Sequence, residues 1–252
     1  QFVYHSLLDI NKFLEPVNRC IQIFHGEAKE VFEFLISKYK LKKVFSHQES
    51  GTKITWNRDK NISSLFKKKG IKWEEFQTEG IIRGISNRVG WDKRWYLFAN
   101  QEIFKNKFST SSHKSIKSPF DFNIKNFPFL LDYPTQFQPA GESYAMRYLK
   151  SFIDERAKNY SRQISSPQKS SISCGRLSPY FAWGNLSVRV AYQAVRSAPN
   201  YMNQKRAFDS FLSRLKWRSH FIQKFEVDCT YESNCINKGY EKMSYKNNDI
   251  LL

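Results

Sequence analysis

Hydrophobic period changes twice along this chain, and the positions of the changes limit what it can fold into. Before residue 104, short apolar runs alternate with stretches of helical spacing. Cys20 to Phe24 (CIQIF) is apolar and partly β-branched, and Ala28, Val31, Phe32, Leu35, Ile36 and Tyr39 then recur every three or four residues, as one buried face of a helix does. Lys43 to Ser46 (KVFS) and Ile71 to Phe76 (IKWEEF) predict two further strands, separated by a basic helix over 57–69 that stops at Gly70. Strand, helix, strand, helix, strand implies a parallel sheet with right-handed crossovers. Three strands are few, since sheets usually have about five or six, so N-terminal strands are expected to be missing.

Over 105–139 the periodicity fails and Ser, Lys, Asn and Pro accumulate, the composition of a long surface connection. After Gly141 only helical spacing remains, in Ala145, Met146, Leu149, Phe152 and Ile153, again over Val188 to Ser197, and again over Ala207 to Phe225. The expectation is α/β plus all-α: a partial, Rossmann-like parallel sheet over 1–104, a linker over 105–139, and a partial helical domain over 140–252. No internal repeat is visible.

Charge narrows the partners. With 41 Lys and Arg against 23 Asp and Glu the formal charge is +18. Residues 140–224 hold 15 Lys and Arg against four Asp and Glu, a surplus of eleven, so a polyanion site is expected there. Placing Phe208 to Phe225 on a helical wheel sets Phe208, Phe211, Leu212, Leu215 and Ile222 on one stripe, and Trp217 about 160° away. Two readings of that Trp stand open: another element covers it, or its ring stacks on an unpaired base while Arg214 and Arg218 meet phosphates. Ser173 or Ser178 at a helix entry either caps the helix or offers its N–H groups to an anion such as pyrophosphate.

Cys20, Cys174, Cys229 and Cys235 form neither a disulfide framework nor a CxxC pair, which suits a reducing compartment. Cys229, Cys235 and His220 are poorly spaced for a metal, and no metal is expected. No apolar run approaches the roughly 20 residues of a membrane span, and the first residues carry no signal-peptide pattern. A soluble, cytoplasmic protein is expected.

The segment SCGRLSPYFAWGNLS resembles the signature of the photolyase and cryptochrome family, in which a Thr-Ser pair leads into Leu-Ser-Pro-Tyr and then Gly-x-Leu-Ser. Upstream, GESYAMRYLKSFIDERAKNY is similar to the family's Gly-Glu opening helix, and downstream LSRLKWRSHF is similar to its Glu/Gln-Leu-x-Trp-Arg-Glu-Phe segment. HQESGTKITWNRD and EGIIRGISNRVGWDKRWY resemble stretches of a bacterial deoxyribodipyrimidine photolyase. The resemblance covers nearly the whole chain.

What it implies is a light-dependent, flavin-containing enzyme that splits pyrimidine dimers, with FAD as cofactor, damaged DNA as partner and a monomeric state. Tyr160 would contact the flavin phosphates, Cys174, Gly175, Arg176, Leu177 and Ser178 would form the phosphate-binding turn, and Arg218 would lie beside the flavin. Trp217 would be the wall that meets a flipped dimer, with Arg162, Arg214 and Arg218 as its DNA-binding companions. An antenna chromophore, folate or deazaflavin, would sit in the first domain, with Gln48 and Glu49 as candidates. The family's flavin-ring and electron-chain residues follow the segment matched here, so no catalytic residue is assigned and the chain is expected to be an inactive fragment. The sequence departs from the pattern at Cys174 and Gly175, which replace the Thr-Ser hydroxyls, at Arg214, which replaces an acceptor, and at Ser219 and His220, which replace Glu-Phe. These departures support an alternative, a cryptochrome-like photosensor or non-repairing flavin and DNA-binding protein. A third reading is a cofactor-free, basic nucleic-acid-binding piece.

Overall fold

The computed structural model describes residues 1–111 and 115–244; the expected linker and helical domain also take in 112–114 and 245–252, which lie outside the described residues. Helix α1 (Phe2–Leu14) is followed by α2 (Ala28–Lys38), strand β1 (Lys43–His47), α3 (Lys53–Lys69), strand β2 (Lys72–Phe76) and α4 (Trp91–Ala99). The strands pair in parallel, from Lys43 opposite Lys72 to His47 opposite Phe76, with α3 as the crossover. Gly70 ends α3 in the left-handed region at φ 66°, where its N–H reaches the Lys67 carbonyl and the Ile71 N–H reaches Phe66. That is the turn a glycine makes without a Cβ clash.

The sheet corrects one expectation. Cys20–Phe24 does not join it, and among the described residues the sheet has two strands, not three. The backbone of that run bonds elsewhere: the Phe122 N–H donates to the Ile23 carbonyl and the His25 N–H to Phe120, with one antiparallel bridge from Phe24 to Asp121. The Gln22 side chain accepts from the Ile116 N–H at 2.8 Å. Part of the supposed linker is therefore the hydrogen-bonding partner of the supposed first strand. The crossover helix also begins at Lys53, four residues before its expected start.

The remaining helices are α5 (Glu142–Asp154), α6 (Tyr160–Gln163), α7 (Pro167–Ser173), α8 (Ser178–Ala182), α9 (Val188–Arg196) and α10 (Lys205–Val227). They surround one large core in which Ala145, Leu149, Phe152, Val188, Val195 and Phe208 are at most 2% exposed. The large core draws on residues from both sides of position 104. Trp91, Trp95 and Ala99 of α4 enter the helical core, Trp95 fully buried and edge-on to Tyr192. Phe2 of α1 packs against Tyr180, and the Asp9 carboxylate accepts from the Ser143 hydroxyl at 2.8 Å. Gly141, at φ 108°, is required there because a Cβ would lie 2.6 Å from the Asp9 carboxylate. A much smaller core, Ile62, Leu65, Phe66 and Ile71, holds α2 and α3 to the sheet.

Candidate functional site

The stripe expected on α10 is the buried one: Phe208, Phe211, Leu212 and Leu215 are all under 9% exposed, and Ile222 packs against the same core. Trp217 emerges opposite, 56% exposed, with Phe221 beside it at a ring distance of 5.8 Å. The helix thus presents one aromatic pair outward and passes two clusters of residues on its flanks.

One cluster surrounds the turn between α7 and α8. Tyr160 is buried against Phe152 and Phe211, and burial pushes its phenol up to about 12, so it remains a neutral donor. Gly175 sits so close to α10 that a Cβ would lie 3.0 Å from the Phe211 ring. Arg176 adopts φ 59° and donates to the Gln138 side chain at 3.1 Å, while Leu177 is buried and Ser178 exposed. The Ser173 hydroxyl faces inward and is spent on the Lys169 carbonyl at 3.1 Å.

Three guanidiniums, Arg156, Arg176 and Arg214, bear electrostatically on Cys174, yet burial outweighs them and pushes its thiol up. Arg156 was not singled out in the sequence. It is half-buried, donates to the Tyr148 carbonyl at 2.7 Å and bonds the Cys174 carbonyl, thereby fixing the turn. No pattern announces it, because a lone arginine after a helix end is usually a solvated charge.

This turn fits an anion in part. Arg176, the exposed Arg214 and the Ser178 hydroxyl are donors without a carboxylate partner among the described residues. The hydroxyls of the Thr-Ser pair in the resembled signature are not replaced, since Ser173 is turned away and Gly175 carries no side chain and lies close against Phe211. Phosphate binding here would rest on guanidinium donors and the Ser178 hydroxyl.

The other cluster lies at residues 217–223. Arg218, expected beside the flavin and on DNA, pairs with the Glu79 carboxylate and donates to the Phe181 carbonyl of α8 at 3.1 Å. Glu79 also accepts from the buried Ser219 hydroxyl at 3.0 Å. One turn later Gln223, fully buried, accepts from the Ile82 N–H at 2.7 Å and donates to its carbonyl at 2.9 Å. His220 accepts from Arg88 at 2.6 Å, and burial together with Arg88 lowers its pKa. Ser219 and His220, where the resemblance expected Glu-Phe, thus join Arg218 and Gln223 in binding α10 to segment 79–88.

The structure therefore brings Tyr160, Cys174 to Leu177 and Arg214 together and sets Trp217 on the same helix about 4.5 Å further along. Arg162 is exposed on α6 and makes no ion pair among the described residues. Gln48 closes the sheet through its N–H to the Phe76 carbonyl, and Glu49 is paired with Arg58 at 2.7 Å. Among the described residues no three His, Cys, Asp or Glu side chains converge as a metal site, and no helix is long and apolar enough to cross a membrane.

Over 99% of its length the chain matches the crystal structure of a photolyase from the archaeon Sulfolobus tokodaii, determined with two FAD molecules, at a TM-score of 0.69 and 18% identity. The fold is photolyase-like. The chain spans 53% of the length of that photolyase. No family model matches the sequence, and no curated protein matches it significantly.

Proposed function

We propose that this chain belongs to a light-dependent flavoprotein that splits pyrimidine dimers in DNA, and that it supplies the DNA-facing platform and the flavin-phosphate turn. The observation that carries the reading is the exposed Trp217, set opposite the core of α10 in a photolyase-like fold. A flipped pyrimidine pair exposes π-faces that stack on an indole. Arg214 on α10 and Arg162 on α6, both exposed, would meet the phosphates. The flavin, when bound, supplies light-driven one-electron transfer to the dimer. Toward it this chain offers the Tyr160 phenol and the donors of the 174–178 turn. Arg218, tied to Glu79 and Phe181, positions Trp217 and is not counted as a free phosphate contact.

A second reading has its own observation. Arg214 offers no acceptor where the family has Glu or Gln, and the turn lacks the hydroxyl pair, so a flavin-bearing protein that binds DNA without repair is the alternative.

Protein expressed from the complete gene is the material for the test. Flavin absorption together with light-dependent loss of dimers from irradiated oligonucleotide is expected; flavin without repair selects the second reading, and a colourless protein that repairs nothing overturns both. Trp217→Ala should weaken binding to dimer-containing DNA by about 1–3 kcal/mol and leave undamaged duplex unaffected. Equal losses on both would remove the stacking role.

A further inference from the structure

A second concentration of positive charge lies outside the helical core. From Lys53 to Lys72 there are seven Lys and Arg and one acid, Asp59. Most of these residues belong to α3, whose Trp56, Lys60, Ser63 and Lys67 recur at helical spacing and line one wall of a groove of about 280 Å³. Ile71, Trp73 and Glu75 of β2 and its approach form the other wall, and Arg83 closes one end.

Three properties of this groove point to a ligand. First, its negative charges are neutralised within the protein: Asp59 pairs with Arg58 at 2.8 Å and Glu75 with Arg83 at 3.5 Å. Lys60 and Lys67 have no carboxylate partner among the described residues, so an anion in the groove meets uncompensated cations. Second, it holds an accessible π-surface. Trp56 is 45% exposed, and the Lys60 ammonium rests 5.4 Å from its ring centroid, a mobile cover that a flat ring can displace. Arg83 holds the same ring from a fixed position, 5.6 Å from its centroid, anchored through Glu75 and the Glu49 carbonyl.

Third, the groove follows the outer edge of β2, which has no neighbouring strand among the described residues. The Lys72 N–H donates to Lys42 and the Phe76 carbonyl accepts from Gln48. In a parallel ladder, residues bonded to one neighbour alternate with residues facing away. The backbone N–H and C=O groups of Trp73 and Glu75 consequently face away from β1, as donors and acceptors that a heterocycle's edge can satisfy.

We propose that this groove is a nucleotide site, separate from the α10 platform. A base lies on Trp56 with its edge toward the outer backbone of β2, and its phosphate is met by Lys60, displaced from the indole, and Lys67. At about 280 Å³ the groove lies just under the smallest small-molecule pockets, roughly 300 Å³, which limits it to one nucleotide. That nucleotide is either a free nucleoside monophosphate or a single unit of an unpaired strand.

The test is isothermal titration of the 252-residue chain with adenosine 5′-monophosphate, guanosine 5′-monophosphate, a short single-stranded oligonucleotide and inorganic phosphate. Binding of the monophosphates supports the site with a free nucleotide as its ligand; binding of the oligonucleotide alone supports it with a strand as its ligand. In either case Trp56→Ala and Lys60→Ala/Lys67→Ala each weaken binding about tenfold, Trp56→Phe retains most of it, and Met202→Ala, at an exposed side chain outside both the groove and the α10 platform, changes nothing. Circular dichroism confirms that the variants fold. Binding of neither nucleotide form, binding of inorganic phosphate as tight as that of the nucleotides, or binding that survives Trp56→Ala but falls in Trp217→Ala overturns the proposal.

Discussion

The helical region and the sheet region of this molecule solve burial differently. The helical core joins 24 buried residues drawn from segments as distant as Ile81 and Leu215, whereas the core beneath the sheet has four. In the helical region buried polar groups also tie elements together, as Ser219 and Gln223 do. The sheet's second face is exposed among the described residues: Phe45 and Phe76 stack 6.1 Å apart while 58% and 48% exposed, with Lys43 above Phe45. Stability thus resides with α10 and its neighbours, and the sheet is carried by them. A surface that can receive a ligand without unfolding the protein is available in both regions, but only the helical one is rigidly backed.

The largest test of this contrast is a pair of chemically identical truncations. Leu149→Ala, at 1% exposure in the large core, is expected to cost about 4–5 kcal/mol, and Leu65→Ala, at 8% in the small one, about 2–3 kcal/mol. Cavities near solvent collapse more completely, which is why the second costs less. Denaturant midpoints at constant slope measure both, and equal losses would dissolve the distinction. Gln223→Ala should cost about 1–3 kcal/mol by stranding the N–H and C=O of Ile82. Faster hydrogen exchange at the Ile82 amide than at core amides would accompany it; unchanged exchange would show that the seam does not hold segment 79–88. Replacing both Phe45 and Phe76 by Ser should move stability by no more than about 0.5 kcal/mol while reducing light scattering at high concentration. A large stability loss would mean that the sheet face is structural after all.

Periodicity made α10 legible, because one stripe of five apolar residues fixes both the buried face and, by exclusion, the exposure of Trp217. The two true strands were legible for the same reason, through short apolar runs bounded by Gly70 and polar turns. Cys20–Phe24 misled because its apolar content matches a strand, while its partners, Phe120 and Phe122, lie about a hundred residues away in a stretch rich in Ser and Lys. Helix α4 was hidden although Trp91, Trp95 and Ala99 recur every four residues, since charged residues fill the spacing. The polar seam was invisible in principle: Glu79 and Arg88 read as ordinary surface residues until the fold brings them to Arg218, Ser219 and His220 of α10. The motif match located the turn at Cys174–Ser178, but it could not reveal that Ser173 faces inward or that Gly175 is pressed against Phe211.

The smallest expected effect concerns pH and joins the seam to the exposed platform. Around His220 stand Arg88, Lys216 and Lys224, which oppose its protonation, Asp92, which favours it, and the rings of Trp91, Trp217 and Phe221. Burial is the leading cause of its lowered pKa and Arg88 the next, so the folded form holds the neutral imidazole below the ordinary value of 6.5. The unfolded chain therefore takes up the proton first. Stability from this group is fully present above about pH 6.5 and declines as pH falls from there through the lowered folded value. Protonation also removes the ring acceptor that Arg88 donates to, so the loss is local to the junction of segment 79–88 with α10. Comparing melting temperatures near pH 7.5 and near pH 5.5 for the unaltered chain and for His220→Gln isolates the contribution from the other histidines. The variant should lose less on acidification. If both lose the same amount, His220 titrates as it does in the unfolded chain, and the junction beneath Trp217 is insensitive to pH.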